Sequence, residues 1–404
     1  MGWLRRIGPW VGLGTSPAAL MTGGGVGEGL QGADLVIALV VGVVLLAGLA
    51  ATQGILGQRT GMTLAQLTAG PLGAEGSRRT ASVVMLAMML GWFGVNAGVA
   101  GVAVARLVGI PDVLGVLVFA ALMLAVASRG LGVLSWSALV AGLATVVLAG
   151  WGLHLAFADR AITLSGGDAG QHPTSIVTGI VLVVGYGAAF SLRAPDFTHD
   201  LARTRQVVWC AVAGLAIPFV LFGLAGAALQ AATGTWDLSD VMRDLGSPEL
   251  AYLFVALGFV GSVLTNIWSG GLSLNDVAPR LSRGAGQAIV AVVGAVIAAA
   301  GFSDLMLPWL TVMALAAPGL IVVCVLHVVR GGRPAIGWGM TGLACWGVGF
   351  ACGIALFLAG SPLALPGAAA IPAVAYWVLG PSGERNLLNA KVEARGGDRS
   401  GGNA

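Results

Sequence analysis

Long apolar segments recur along the entire chain, and they limit the folds open to it. Of the 404 residues, 57% are hydrophobic and 9% are charged, with a mean hydropathy of +0.93. A soluble domain carries about 25% charged residues, so a chain of this composition cannot shield its apolar surface from water by folding alone. The sequence therefore predicts an all-α protein that crosses the lipid bilayer many times. The formal net charge of +3 is too small and too scattered to indicate nucleic acid as a partner.

About 20 mostly apolar residues are needed for a helix to cross the hydrocarbon core. By this measure the chain has about twelve transmembrane spans. They lie near residues 9–31, 34–57, 81–107, 112–128, 132–157, 174–195, 206–232, 250–274, 285–301, 303–328, 335–359 and 362–380. Residues 1–8 are expected to form a cytoplasmic N-terminus, and the polar stretch 381–404 a disordered cytoplasmic tail.

Basic residues support this topology, because cytoplasmic loops of membrane proteins collect Lys and Arg. With the N-terminus inside, Arg106, Arg160 and Arg243 fall on the outer side. The inner side receives Arg5, Arg6, Arg59, Arg78, Arg79, Arg129, Arg193, Arg203, Arg205, Arg280, Arg283, Arg330, Arg333 and the tail. This separation predicts an even number of spans in a bacterial inner membrane, with both termini in the cytoplasm.

The first and sixth spans contain residues that interrupt helices. The first span includes Pro17, which lacks a backbone N–H donor. It also includes three consecutive glycines at 23–25, and each of them destabilises a helix by roughly 1 kcal/mol relative to Ala. The sixth includes Gly185, Gly187 and Pro195. Interrupted spans at matching positions five spans apart indicate an inverted repeat, with a binding site where the half-helices meet. The alternative is that these glycines only permit close helix packing.

The eighth span carries a stripe of polar residues within an otherwise apolar segment. Spacings of three and four place the stripe on one helical face, which is expected to line the bundle interior or a wet cavity. Its members are Ser262, Thr265, Asn266, Ser269 and Ser273. The alternative is interhelical hydrogen bonding, worth about 0.6–2 kcal/mol per contact.

The third span places Trp92 and Asn96 on one face at mid-helix, away from the interfacial belt where Trp is enriched. A flat aromatic wall beside an amide suits a small planar polar ligand, although Trp is also a common core residue.

Glu28 closes the first span, either as a solvated helix end or as a gating or proton-linked carboxylate. Arg193 and Asp196 are expected to form an interfacial ion pair.

Four motifs, in this order, resemble those of the nucleobase–cation symporters, and within them the cytosine permease branch. They are Thr15-Ser-Pro-Ala-Ala-Leu-Met-Thr-Gly-Gly-Gly-Val-Gly-Glu-Gly-Leu30, Gly91-Trp-Phe-Gly94, Ala194-Pro-Asp-Phe-Thr198 and Thr265-Asn-Ile-Trp-Ser-Gly-Gly-Leu272. The likeness runs from about residue 9 to residue 285. It implies a leucine-transporter-like fold, with two inverted five-helix repeats over 9–328 followed by two extra spans over 329–380. It also implies uptake of a nucleobase or related heterocycle, coupled to Na⁺ or H⁺ and without another cofactor.

The resemblance also implies roles for individual residues. Trp92 would stack on the heterocycle, Tyr186 and Gly187 would line the site at the break in the sixth span, and Asn266 would offer a hydrogen bond. Asn96 is expected to contribute a second one. The cation would be held by backbone carbonyls near Gly14 and Pro17 and by the hydroxyl of Ser262, with Thr265 as a nearby alternative.

The chain departs from the family pattern at several of these positions. Met89 stands where cytosine permeases place a glutamine, and it is expected to contact the ligand instead. The aromatic position in the sixth span is Gly187, with Tyr186 beside it, and the usual hydroxyl pair of the eighth span is reduced to Gly261-Ser262. A polar ligand group buried without a partner costs roughly 1–3 kcal/mol. A different pyrimidine, a purine or a vitamin-like heterocycle therefore stays open as the substrate.

Other functional classes have less support. An integral-membrane enzyme would need a catalytic constellation, and the sequence has no GxSxG, no HExxH, no paired intramembrane carboxylates and no histidine cluster. A sensor that retains the fold without transport, and a transporter of another small solute, remain open alternatives. Oligomeric state cannot be read from the sequence, and a monomer is the working expectation.

Overall fold

The computed structural model describes residues 4–129, 131–158, 174–245, 249–332 and 337–381. Within these ranges every regular element is a helix, which confirms the predicted all-α class. The α-helices are α1 (Leu4–Gly14), α2 (Pro17–Gly29), α3 (Gly32–Thr60), α4 (Leu64–Gly76), α5 (Ser82–Val108), α6 (Asp112–Ala127), α7 (Leu131–Ala158), α8 (Ile176–Tyr186), α9 (Ala188–Thr198), α10 (Thr204–Trp209), α11 (Ile217–Thr233), α12 (Leu238–Asp244), α13 (Leu250–Val277), α14 (Arg283–Ala299), α15 (Met306–Val329), α16 (Met340–Leu358) and α17 (Ala364–Leu379). The predicted tail after Pro381, Arg160 and Arg333 lie outside the described residues.

Helices of the described chain are long and apolar enough to cross a membrane in eight places. These are Gly32–Thr60, Leu64–Val108, Val140–Ala158, Ile176–Thr198, Thr204–Thr233, Ala251–Val277, Phe302–Val329 and Met340–Leu358. Three shorter apolar helices, α6, α14 and α17, coincide with the predicted fourth, ninth and twelfth spans. The interrupted pair α1 and α2 coincides with the first. A multi-span membrane protein is thus confirmed, while the count of twelve stays a prediction.

The break in the first span lies earlier than the glycine run. Ser16, in an extended conformation, precedes α2, and Pro17 is its first residue, a position where a missing N–H costs nothing. The prediction that residues 23–25 interrupt the helix is wrong, because α2 continues through them. A Cβ on Gly23 would lie 2.0 Å from the Gly223 carbonyl oxygen of α11, so this glycine permits close packing.

The break in the sixth span lies at Gly187, between α8 and α9, with φ of −103° and ψ of 11°. Pro195 lies inside α9 and does not end it. Gly185 has a packing role, since a Cβ there would lie 1.8 Å from the Leu310 carbonyl oxygen of α15.

Helix α4 was not predicted, because it precedes the third span and is only moderately apolar. The chain leaves α3 through Gly61, which has the left-handed φ of 70°, and α4 then starts at a capping box in which Thr63 N–H donates to Gln66 Oε1 at 3.0 Å. A kink at Gly73, with φ of 75°, brings α4 against the segment before α16, where Gly339 N–H donates to Leu72 O at 2.6 Å.

The described helices that precede α15 pack mainly in two groups. Helices α5, α6, α13 and α14, from the third, fourth, eighth and ninth spans, pack mainly on one another and form the first group. Helices α1 to α3 and α8 to α11, from the first, second, sixth and seventh spans, form the second group. The two groups meet at few points, among them α5 with α9 and α13 with α2. The first, second, third and fourth spans therefore share a group with the sixth, seventh, eighth and ninth spans respectively, as an inverted repeat of five spans predicts.

Candidate functional site

Tyr186 joins the breaks of the first and sixth spans. It is the last residue of α8, it is 2% exposed, and its hydroxyl oxygen lies 2.7 Å from Ser16 Oγ. The same hydroxyl donates to the carbonyl oxygen of Leu13 in the last turn of α1. Because α1 ends there, that carbonyl has no regular helical partner, and the phenol supplies one. These hydrogen bonds thus fix the two interrupted helices to each other.

Trp92 lies where the two helix groups meet. It belongs to α5 of the first group, is 7% exposed, and makes an edge-to-face contact with Tyr186 of the second group at 5.7 Å between ring centroids. Tyr186 in turn packs on Phe219 of α11 at 4.8 Å. Trp92, to which the family resemblance assigns ligand stacking, is therefore adjacent to the break in the sixth span.

Helices α5 and α13 run antiparallel, and two contacts fix their register. Ser82 Oγ, at the first residue of α5, donates to Asp276 Oδ2 at 3.3 Å. Further along, the Cβ of Met89 lies 3.3 Å from the position that a Cβ on Gly270 would take. Met89 therefore faces α13, one turn before Trp92 along α5. Both helices rise about 1.5 Å per residue, so the register continues along them.

That register brings the two predicted amides to the site. It places Trp92 level with Asn266 of α13, and Asn96 level with Ser262. Asn96 and Asn266 are 3% and 6% exposed, and Asn96 Oδ1 and Asn266 Nδ2 have no hydrogen-bond partner among the described residues. A buried polar group without a partner costs about 1–3 kcal/mol, so each such group needs an explanation. A polar ligand between these amides provides one.

Gly187 can contribute only its backbone to the site. A Cβ at this position would lie 2.5 Å from a Leu46 methyl group of α3, so the side of the glycine that would carry a side chain is already filled. The aromatic contribution at the break comes from Tyr186 instead.

The residues proposed to hold a cation lie at the break in the first span. Gly14 ends α1, and a Cβ there would lie 2.9 Å from the Leu215 carbonyl oxygen. Pro17 Cγ lies 2.8 Å from the position of a Cβ on Gly258, so the break faces α13. Ser262 follows Gly258 by four residues and shares its face. Backbone carbonyls and one hydroxyl are hard oxygen donors that fit Na⁺ in type.

Thr265 differs from the rest of the polar stripe. Its side chain is exposed, and its hydroxyl donates to the Gly261 carbonyl one turn earlier at 2.8 Å. Asn266, Ser269 and Ser273 are buried, so Thr265 does not share their surroundings, because the step of three from Ser262 rotates it to the edge of the face.

Arg193 lies deeper than the predicted interfacial ion pair. Its side chain is 12% exposed, and its Nη2 donates to Ser273 Oγ at 2.7 Å and to the Ser269 carbonyl at 3.0 Å, both on α13. The pair with Asp196 exists but is long, at 3.7 Å, and Asp196 Oδ1 also accepts from Leu64 N–H of α4 at 2.8 Å. Ser269 and Ser273, the last two residues of the polar stripe on α13, were the sequence features that could have indicated this contact.

Glu28 is separate from the Trp92–Tyr186 site. It is half-buried and lines a cavity of about 550 Å³ between α2, α8, α15 and α16, together with Thr178, Leu307, Thr311 and Phe357. The lining includes no residue of α5 or α13. The gating role of Glu28 stays a prediction. Its cavity is also lined by residues of α16, in the eleventh span.

Comparisons with known proteins agree with these features. Residues 3–338 match the family described as permeases for cytosine/purines, uracil, thiamine and allantoin. Two relatives named cytosine permease, from Escherichia coli O157:H7 and from Escherichia coli strain K12, are each 26% identical over 306 residues, covering 74% of this chain and 71% of the relative.

Solved structures show the same fold at low sequence identity. Mhp1 in its inward-facing conformation has a TM-score of 0.81 at 18% identity, over 96% of this chain and 93% of that one. Mhp1, a nucleobase-cation-symport-1 family transporter, in a closed conformation with bromovinylhydantoin bound has a TM-score of 0.73 at 17% identity, over 96% and 95%. A Na⁺-coupled sialic acid symporter has a TM-score of 0.63 at 14% identity, over 95% and 91%.

These likenesses confirm the leucine-transporter-like fold with its broken first and sixth spans, and the family match covers most of the chain, including every residue assigned to the site. The chain belongs to the family of permeases for cytosine/purines, uracil, thiamine and allantoin.

Proposed function

We propose that the protein imports a nucleobase or related planar heterocycle across a bacterial inner membrane by cation symport. The observation that carries this proposal is the pair of buried amides beside Trp92, in which Asn96 Oδ1 and Asn266 Nδ2 have no partner among the described residues. The site lies where two interrupted helices meet, which is where transporters with inverted repeats bind their substrates. Both termini are proposed to be cytoplasmic.

The free amide atoms suggest the chemistry of the ligand. Asn96 Oδ1 accepts a hydrogen bond and Asn266 Nδ2 donates one, so a matching ligand presents a donor and an acceptor. A ring lactam or a ring amidine has both groups on adjacent atoms. The indole of Trp92 offers an aromatic surface for the ring, and Met89 offers an adaptable apolar contact. The names of the relatives, cytosine permeases, are consistent with such a ligand.

A cation at the break in the first span would couple transport to an ion gradient. The carbonyls near Gly14 and Pro17 and the hydroxyl of Ser262 are the proposed ligands for Na⁺. Because only one hydroxyl faces this break from α13, protons are the alternative coupling ion. A carboxylate that could carry them is Glu28.

The arrangement of helices suggests how the site would change sides. The ligand residues come from both helix groups: Trp92, Asn96 and Asn266 from the first, and Tyr186 from the second. A rocking motion of one group against the other would open the site alternately to either side. Residues 9–328 are proposed as the moving core, with 329–380 as two additional spans.

Uptake by cells tests the site directly. Trp92→Ala and Asn266→Ala are each expected to lower the uptake of labelled nucleobases at least tenfold, because each removes a contact to the ring or its edge. Trp209→Ala, at a residue that is 57% exposed on α10, serves as the matched control and is expected to retain uptake. Wild-type uptake by both site variants, at equal protein levels, would disprove the assignment.

The competing proposal is a protein that binds the heterocycle without moving it, and it is favoured because α13 offers the break only Ser262 where the family pattern has a pair of hydroxyls. Ligand binding in detergent combined with no accumulation in vesicles would establish that reading. Binding of a chemically different solute, with no response to nucleobases, would establish a transporter of another class.

A further inference from the structure

Arg193 connects the two helix groups on the cytoplasmic side of the site. It follows Tyr186 by about two helical turns along α9, in the second group. Its guanidinium reaches α13 of the first group, where Ser269 lies one turn inward of Asn266. With the inner side assigned by the basic residues, this contact lies between the proposed ligand and the cytoplasm.

The contact is strong but incompletely satisfied. Hydrogen bonds from a charged donor are stronger than neutral ones, and Arg193 makes two of them to α13. Its Nε is buried and has no partner among the described residues. The nearest carboxylate, Asp196, is 3.7 Å away and is shared with the backbone N–H of Leu64. A buried arginine is retained in a membrane span when it has a function, and structural packing alone would favour an apolar residue.

We propose that Arg193 is a positioning residue for transport that forms the cytoplasmic gate. It holds α9 against α13 below the site and releases the Ser269 and Ser273 contacts when the groups part to discharge the ligand. The proposal rests on the proposed function, because it requires that the two groups move. It also explains why a guanidinium, which can exchange protein partners for water, occupies this depth.

Thiol labelling from the cytoplasmic side tests the gate without any ligand. A Ser269→Cys reporter would be placed in a background in which Cys210, Cys324, Cys345 and Cys352 are replaced. A membrane-impermeant maleimide is then applied to inside-out vesicles. Arg193→Ala is expected to raise the labelling rate of the reporter about tenfold or more, because the two charge-assisted bonds that hold α9 to α13 are lost. Arg59→Ala, at an exposed residue of α3, is the matched control and leaves the rate unchanged.

Two milder variants guard against misfolding. Ser273→Ala keeps the guanidinium and removes one acceptor, so a rise of several-fold in labelling is expected. Arg193→Lys keeps the charge but not the forked donor, and is expected to fall between wild type and Arg193→Ala. Equal labelling rates in wild type, Arg193→Ala and Ser273→Ala would overturn the proposal.

Transport and binding measured in parallel separate a gate from a general structural role. Arg193→Ala is expected to lower uptake at least tenfold while its affinity for a nucleobase that binds wild type changes less than threefold. Loss of affinity together with uptake, or wild-type uptake, would contradict a gate. If no nucleobase binds the wild type, the proposed function fails, while the labelling experiment still decides the gate.

Discussion

Replacing Tyr186 with Phe removes the hydroxyl that ties the two broken spans together. Tyr186 Oη and Ser16 Oγ lie 2.7 Å apart, and the phenol also donates to the Leu13 carbonyl. The ring contacts with Trp92 and Phe219 are unaffected, because Phe retains the ring. The substitution therefore isolates the hydrogen bonds at the junction of the breaks.

The size of the effect follows from the groups left behind. Ser16 Oγ loses its partner in a buried environment, while the Leu13 carbonyl keeps only a long contact from Ser16 N–H at 3.3 Å. An interhelical hydrogen bond in a membrane protein is worth about 0.6–2 kcal/mol, and a buried group left unpaired costs about 1–3 kcal/mol. We expect Tyr186→Phe to lower the free energy of unfolding by about 1–3 kcal/mol.

Reversible unfolding in mixed micelles measures this change. Tyr252→Phe is the matched control, since Tyr252 is half-buried and its hydroxyl has no hydrogen bond within the described chain; a change below about 0.5 kcal/mol is expected there. A double-mutant cycle with Ser16→Ala is expected to give a coupling of at least about 0.5 kcal/mol. If Tyr186→Phe is as stable as Tyr252→Phe, or the coupling is zero, the breaks are not held together by this hydroxyl.

Three further predictions concern packing, a helix cap and the cation. Gly185→Ala is expected to abolish folding, because its Cβ would lie 1.8 Å from a carbonyl oxygen of α15. Gly48→Ala is the control, since a Cβ there would have no atom within 4 Å, and it is expected to express normally. A fluorescence-detected chromatography assay compares the two variants. Burial raises the pKa of Asp237, the N-cap of α12, so its ionised form destabilises the fold, and stability falls as pH rises through that pKa. Asp237→Asn is expected to reduce this pH dependence in thermal unfolding scans. An unchanged pH profile would contradict this prediction. If Na⁺ is the coupling ion, Ser262→Ala is expected to raise the Na⁺ concentration for half-maximal uptake at least tenfold. Thr265→Ala is expected to leave that concentration unchanged. Equal effects of the two substitutions would contradict the placement of the two hydroxyls.

The sequence identified the elements of the site because they depend on local rules. Pro17 marks a helix start, since it lacks an N–H that an interior position would need. The spacing of Trp92 and Asn96 follows from helical periodicity alone. These features persist whatever the neighbouring helices are: α2 starts at Pro17, and Trp92 and Asn96 are both buried in α5.

What the sequence could not supply depends on contacts between distant segments. The glycines at 23–25 were predicted to break the helix, but α2 continues through them, with α11 packed against Gly23 and Gly24 and α15 against Gly25. The depth of Arg193 depends on acceptors that α13 offers some eighty residues later, at Ser269 and Ser273. Helix α4 depends on a cap and on contacts with the segment before α16. No periodicity within one span contains this information.

Accumulation in proteoliposomes tests most directly whether the protein is a cation-coupled importer of heterocycles. The purified protein would be reconstituted, and uptake of labelled cytosine, uracil and purines measured with an inward Na⁺ gradient, with an inward H⁺ gradient and with neither. We expect at least one of these compounds to accumulate above its external concentration under one of the gradients, and Trp92→Ala to abolish this accumulation. Equilibration without accumulation under both gradients, or accumulation that Trp92→Ala leaves intact, would contradict the proposed mechanism and its site.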